Sequence, residues 1–313
     1  MRRVRPTASR SAGTCPAGSA DLPDRSTPRR PAVSDILTHT FPADGPISLS
    51  IGQRSGDLVV TAAATSEIVV ELRPAGPDGD DLARRTQVEH RPGAVRIEVP
   101  RTTSLLGRST SVDIAVTVPT GSTVDAQAGS GDIRLDGRFA DVAAKCGSGD
   151  IAVDICDDLR LSTGSGDVYV TESAGAVIRT GSGSIRFGTA GGTVDLESGS
   201  GTIEVEQPLS SGRISAASGD VRIATVDGRV ELKTASGDIT AHRAVEGELR
   251  ARTASGNVAV GIVAGTAANL DVSSISGSIH SDLDHADAPA ETDRTLLLAV
   301  TTVSGSIRLH RTT

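Results

Sequence analysis

Apolar and polar residues alternate along this chain with a period of two, and from residue 121 the alternation is cut into similar segments by a recurring Ser-Gly dipeptide. The dipeptide begins at Ser130, Ser148, Ser165, Ser182, Ser200, Ser218, Ser236, Ser255, Ser276 and Ser304, at intervals of 18, 17, 17, 18, 18, 18, 19, 21 and 28 residues. Counting back from each Ser in steps of two gives sets such as Val124/Ala126/Ala128, Leu159/Leu161/Thr163 and Leu298/Val300/Thr302. Counting forward three and five gives Ile133/Leu135, Val168/Val170, Ile279/Ser281 and Ile307/Leu309. Intervening positions are mostly polar, as in Glu231 and Lys233 or Glu248, Arg250 and Arg252. Period-two alternation means strands with one buried face. The pattern predicts two strands per repeat, one ending at the Ser and one starting just past the Ser-Gly corner. Opposite turns fall at Asp136-Gly137-Arg138, Asp157-Asp158 and Asp227-Gly228-Arg229.

One repeat cannot fold alone. It has about five apolar side chains, each worth roughly 1.5–3 kcal/mol when buried, against about 1–2 kcal/mol of backbone entropy per fixed residue. Stacking resolves this, because each strand can pair with its counterpart one repeat above, about 4.8 Å away, and the inward residues become continuous ladders. The predicted fold is all-β: a single-stranded β-helix, or β-solenoid, of about ten 18-residue coils, roughly 48 Å long at that spacing. The Gly at each corner turns without a Cβ. Small inward Ser and Thr fit the narrow end, and their hydroxyls can bond backbone.

Residues 34–120 alternate without a strict repeat. Leu49, Ile51, Leu58 and Val60 surround Ser55-Gly56-Asp57, an outlying eleventh copy of the corner. Thr86–His90 and Ala94–Val99 flank Arg91-Pro92-Gly93, a hairpin signal. The polar stretch from Pro74 to Arg84 reads as a loop. This region is expected to cap the solenoid of residues 121–313, whose other end, His310-Arg311-Thr312-Thr313, is expected to leave an edge strand uncovered. Residues 282–294, rich in Asp, read as an acidic loop leaving the rod before the last coil.

Composition agrees with a narrow, layered core. Hydrophobic residues make up 37%, there is no Trp, one Tyr (Tyr169) and three Phe (Phe41, Phe139, Phe187), while Gly numbers 35. Residues 1–33 hold seven Arg against two Asp and show no periodicity, so they read as a disordered basic segment. The net charge is −8 overall and +5 over 1–33, which leaves −8 − 5 = −13 for the body. An acidic body argues against a nucleic-acid partner. No stretch reaches the roughly 20 apolar residues of a membrane span, and the Arg-rich start lacks the apolar core of a secretory signal. The expected location is the cytoplasm.

The run Ser111-Val112-Asp113-Ile114-Ala115-Val116-Thr117-Val118-Pro119-Thr120-Gly121, followed by Ala128-Gly129-Ser130-Gly131-Asp132-Ile133, resembles the bacterial β-strand-repeat putative adhesin family, a domain of unknown function. The resemblance covers about residues 36–313. It implies a right-handed β-helix; the adhesin label is inferred for the family, and the chain departs from it in lacking an export signal.

Candidate chemistry is sparse. The six His (His39, His90, His242, His280, His285, His310) are scattered without metal-ligand spacing. The Gly-Ser-Gly-Asp segments at Gly129, Gly147 and Gly164 are turns rather than nucleophile elbows. A sugar-cleaving β-helix needs carboxylate pairs in a groove, and the aromatic platforms for sugar stacking are absent, leaving Tyr169 as the only candidate on an outer face. No catalytic residue, cofactor or metal is therefore assigned. The one constellation worth weighing is the column Asp132, Asp150, Asp167, which would stack like charges about 5 Å apart. Turn capping is the favoured reading; calcium is the alternative, because calcium-binding nonapeptide repeats share such turns. Against calcium, the column breaks at Ser184 and Thr202, and the opposite turns differ. Cys15, Cys146 and Cys156 form no disulfide framework; Cys146 falls in an inward column, and Cys156, near a turn, is expected to be the more accessible. What remains is a non-enzymatic binding or scaffold module with an unknown protein or surface partner, monomeric or weakly joined end to end. The alternatives are a self-assembling rod and a secreted adhesin.

Overall fold

The computed structural model describes residues 36–101, 110–283 and 294–312. The basic segment 1–33 and most of the acidic loop lie outside the described residues. In chain order the first strands are β1 (Leu37–Pro42), β2 (Ser48–Ser55), β3 (Leu58–Ala63), β4 (Glu67–Ala75), β5 (Gln87–Arg91), β6 (Ala94–Glu98), β7 (Ser111–Pro119) and β8 (Thr123–Ser130). Then come β9 (Ile133–Ser148), β10 (Ile151–Ser165), β11 (Val168–Ser182), β12 (Ile185–Ala190), β13 (Thr193–Ser200), β14 (Ile203–Ser218), β15 (Val221–Ser236) and β16 (Ile239–Ser255). The last are β17 (Val258–Val263), β18 (Thr266–Ser276), β19 (Ile279–Ser281), β20 (Arg294–Ser304) and β21 (Ile307–Thr312). The fold is all-β apart from one short helix, α1 (Gly79–Arg85).

Consecutive repeats pair in parallel and in register. Ser130 lies opposite Ser148, Ser148 opposite Ser165, and so on through Ser182, Ser200, Ser218, Ser236 and Ser255. The inward columns are buried as the alternation requires: Val142, Leu159, Val194, Val230 and Leu249 on one face, Ile133, Ile151, Val168, Ile185, Ile203 and Val221 on the other. The two predicted strands are in most repeats one. β9, β10, β11, β14, β15 and β16 run 15 to 17 residues from one corner to the next and bend where a turn was expected. The ladder continues round that bend, so its backbone groups stay paired; register shifts, as between Val153 and Ile155, absorb the curvature. Inside the bend lies a third column not visible in the Ser-Gly count: Phe139, Cys156 and Ser173 in one run, Leu209, Val226, Ala244 and Ile262 in another, all buried.

The outlying Ser55-Gly56 copy is part of the stack. β2 pairs with β8 and places Ser55 opposite Ser130, while β3 pairs with β9 and places Leu58 opposite Ile133. Below it β6 pairs with β2, and β7 with β3. The predicted hairpin is present as antiparallel β5–β6. On the other face β4 pairs antiparallel with β7, and β1 with β4. The stretch read as a loop contains α1, with Asp80 and Asp81 in its first turn, Arg84 and Arg85 in its last, and Leu82 and Ala83 buried. This charge order favours a helix end to end, and two buried apolar residues anchor it.

At the other end the order in space departs from the order in sequence. β20 pairs with β16 and β21 with β17, so the last segment of the chain lies on the repeat that ends at Val263. β18 and β19 are stacked outside it, against β20 and β21. Ser304 therefore lies between Ser255 and Ser276. Among the described residues the strands left uncovered at this end are β18 and β19, not the chain end expected from the sequence. Core quality explains the order: the inserted segment supplies Leu296, Leu298, Val300, Ile307 and Leu309 to the columns, all buried. The displaced repeat offers Leu270, Val272, Ser274, Ile279 and Ser281. Burying the more apolar set on both sides and leaving the poorer one outermost removes more apolar surface from water.

Candidate functional site

The corner carries two columns of side chains, one outward and one inward. Outward, where an Asp or Asn follows the corner Gly, its side chain reaches to the next layer. The Asp132, Asp150, Asp167 and Ser184 amides donate to the Oδ1 atoms of Asp57, Asp132, Asp150 and Asp167, at 3.0, 2.9, 2.8 and 2.8 Å. The structure thus brings Asp132, Asp150 and Asp167 together and extends their column downward, since the Asp57 amide donates to Asp113 Oδ1 at 3.0 Å. A second run links Asp238 to Asp220, Asn257 to Asp238 and Ser306 to Asn257 in the same way. Each carboxylate accepts a turn amide that the bent backbone cannot pair in the ladder. Among the described residues no group of three or more His, Cys, Asp or Glu is arranged to hold a metal ion.

Inward, hydroxyls two residues before the Ser cap the glycine carbonyl of the adjacent layer. Thr163 donates to Gly149 O, Thr180 to Gly166 O, Ser198 to Gly183 O, Thr234 to Gly219 O and Thr253 to Gly237 O, at 2.9 to 3.3 Å. Cys146 takes the same place with its thiol, 3.3 Å from Gly131 O. The glycine itself is dictated by the stack: a Cβ on Gly149, at φ +143°, would run into the carbonyl of Gly131 beneath.

Cys156 is buried, not accessible as its place near a turn suggested, because it belongs to the third column and its Sγ lies 3.6 Å from Ser173 Oγ. Burial pushes both thiols above the ordinary range, the opposite of what a nucleophile requires. Tyr169 lies on an outer face beneath Arg186, whose guanidinium carbon is 5.9 Å from the ring centroid. Of the histidines, His39 and His90 are brought together by Phe41, which stacks on His90 at 4.8 Å and on His39 at 6.4 Å.

Among the described residues the outer surface carries several grooves lined by charged side chains; one, of about 490 Å³, has Thr193, Ser211 and Gly212 among its small lining residues. Around it, parallel register sets opposite charges side by side: Asp195, Arg213, Glu231 and Arg250 form one row across four strands. Glu231 lies 3.0 Å from Arg213 and 2.6 Å from Lys233; Glu248 meets both Arg229, at 3.0 Å, and Arg250. The hydrogen bond from Lys233 holds the Glu231 carboxyl below its usual range. Beside this row Lys233 stands opposite Arg252, a cationic spot on an otherwise acidic body. Sequence reasoning recorded the outward charges but could not locate the groove, which depends on which small residues from neighbouring strands become adjacent.

A family model described as Toastrack DUF4097 matches residues 137–312. The chain belongs to this family. Solved structures similar to this Toastrack chain include a putative adhesin from Bacteroides fragilis, at 11% identity, covering 89% of this chain and 97% of that one with a TM-score of 0.32. A putative lipid binding protein from Parabacteroides distasonis has 11% identity, the same coverages and a TM-score of 0.39. A putative adhesin from Parabacteroides merdae has 11% identity, covers 88% and 95%, and has a TM-score of 0.29. Superpositions this loose carry no functional inference. No curated protein matches the chain. In the described residues no helix is long and apolar enough to cross a membrane.

Proposed function

We propose that this Toastrack protein is a non-enzymatic binding or scaffold module, a stack of about ten coils closed at one end by residues 34–120, that presents its charged outer face to a protein or surface partner. The observation that carries this reading is the groove, where the carboxylates of Glu231 and Glu248 are each held between two cations. Side chains fixed in this way lose little entropy on meeting a partner, and a continuous solenoid face is suited to extended contact. The same pairing opposes catalysis, since an acid–base residue needs a proton poised near the working pH, and Glu231 is shifted the other way. Cytoplasmic location fits this reading; a secreted adhesin is the second possibility.

The test is photocrosslinking in cells from a residue placed at Ser215, beside the groove, in the full chain and in the Arg213→Glu/Arg229→Glu variant. A discrete crosslinked partner lost in the variant is the expected result. No discrete adduct, or one indifferent to the charge reversal, would overturn the reading. Fractionating cells that express a tagged copy separates the scaffold from the exported adhesin.

A further inference from the structure

The two ends of the stack differ in how their edges are finished. At the end reached by β1 and β5, the outermost strands are six and five residues long, antiparallel to their neighbours. They carry Glu89 and Arg91, joined at 3.5 Å, and meet through the Phe41–His90 stack. Short, charged, antiparallel edges resist further pairing. The other end has no such finish. β18 is 11 residues long, about 36 Å at about 3.3 Å per residue, with Asp271 as its sole formal charge and neither Pro nor Lys. Among the described residues nothing pairs with the outer edges of β18 and β19. The exposed large apolar residues concentrate here: Leu270, Ile275 and Ile279 in this repeat, Leu297 and Val303 in the one beneath, five of the seven such residues in the described chain. Leu270 and Ile279 are column residues whose counterparts beneath are buried, Gly212 excepted, and they are 39% and 47% exposed because the stack stops.

We propose that this end is an interface for a second copy of the chain, joined like end to like end across a two-fold axis into a closed dimer. Three observations select this occupant. The surface to be covered is an open strand edge flanked by apolar column residues, and across a two-fold axis β18 meets β18 of the copy edge to edge and antiparallel, apolar against apolar. The only solenoid end open to it is its own kind, because the opposite end is finished against pairing. And on a body of charge −13 the outermost strand itself holds a single formal charge, Asp271, so its edge repels a copy least, with the acidic stretch that starts at Asp282 limiting the contact to a weak one. An isologous contact uses the edge once per chain and ends there, so growth stops at two and no filament forms. A single coil's cross-section is a small interface, which places the dimer in the reversible, concentration-dependent class.

Sedimentation of the full chain across micromolar to hundreds of micromolar concentration tests it. The expected result is a monomer–dimer equilibrium, abolished by Val272→Lys/Ile279→Lys and retained by Thr38→Lys at the opposite end. Hydrogen exchange on the unaltered chain keeps the test open should the double variant misfold: β18 amides gain protection as concentration rises, and β5 amides do not. A chain monomeric throughout, with β18 protected at every concentration, would mean that another part of the same chain covers the edge. Species larger than two would mean that the opposite end also pairs, and a dimer surviving the folded double variant would place the contact elsewhere. Each of these overturns the proposal.

Discussion

At the scale of the residue, the corner is the most constrained place in the molecule. Thr180 donates to the carbonyl of Gly166 at 3.2 Å and is itself buried. Replacing it with Val keeps the shape and leaves a buried carbonyl without its donor, a change worth about 1–3 kcal/mol. Denaturant midpoints should show that loss for Thr180→Val and little for Thr180→Ser. Gly149→Ala should cost about 3 kcal/mol or more, since it combines left-handed backbone strain with overpacking against Gly131. The thiols give a pH prediction. Burial raises Cys146 and Cys156, so their contribution to stability is fully present below the unfolded thiol value of about 8.5. It is lost as pH rises through the folded one. Stability measured from pH 7 to 10 should therefore fall less in a Cys146→Thr/Cys156→Ala variant than in the native chain. The corner Ser and Gly, and the Asp and Thr columns, were legible in sequence because repetition displays them. The third column was not: it lies inside a bend whose length varies, where no fixed count from the Ser-Gly corner reaches it.

At the scale of the element, the strand order makes a prediction that the sequence order would reverse. Leu298 and Leu270 stand opposite one another in the same inward column. Leu298 has a repeat on either side and is 2% exposed, whereas Leu270 is outermost. Leu298→Ala should cost about 2–5 kcal/mol, and Leu270→Ala about 1 kcal/mol or less, as for a partly exposed site; urea unfolding of the two variants decides. Chain order implied the opposite, with the repeat of Ser304 at the end. The hint available in sequence was the 28-residue interval before Ser304, long enough for the chain to return past a repeat already formed. The Asp column is an element-scale feature too. Because each Oδ1 accepts a backbone amide, the melting temperature should be the same in calcium as in a chelator, and a clear rise with calcium would assign the column a ligand.

At the scale of the whole molecule, regular stacking turns small repeats into a single core that buries 63 apolar residues, from Ala43 to Leu309, among those described. Stability should be set by this core and not by the outward charges. Arg213 and Glu231 are joined at 3.0 Å, but the arginine is 59% exposed, and such a pair is worth about 1 kcal/mol or less. A double-mutant cycle on them should give a coupling in that range that shrinks further in high salt. A larger, salt-resistant value would mean that the groove is a structural element instead of a surface held ready for a partner.

Which side chains face inward followed from the sequence alone, because a strand's period of two is a local property and ten copies of one phase leave a single common interior. The all-β class and the corner chemistry followed for the same reason. Which repeat lies beside which did not: every copy of the ladder has the same spacing, so β18 or β20 could each stack on β16 in register, and only the total apolar surface covered chooses between them. That comparison exists only in three dimensions, as do the bent strands that carry the third column and the groove formed where small residues of separate repeats meet.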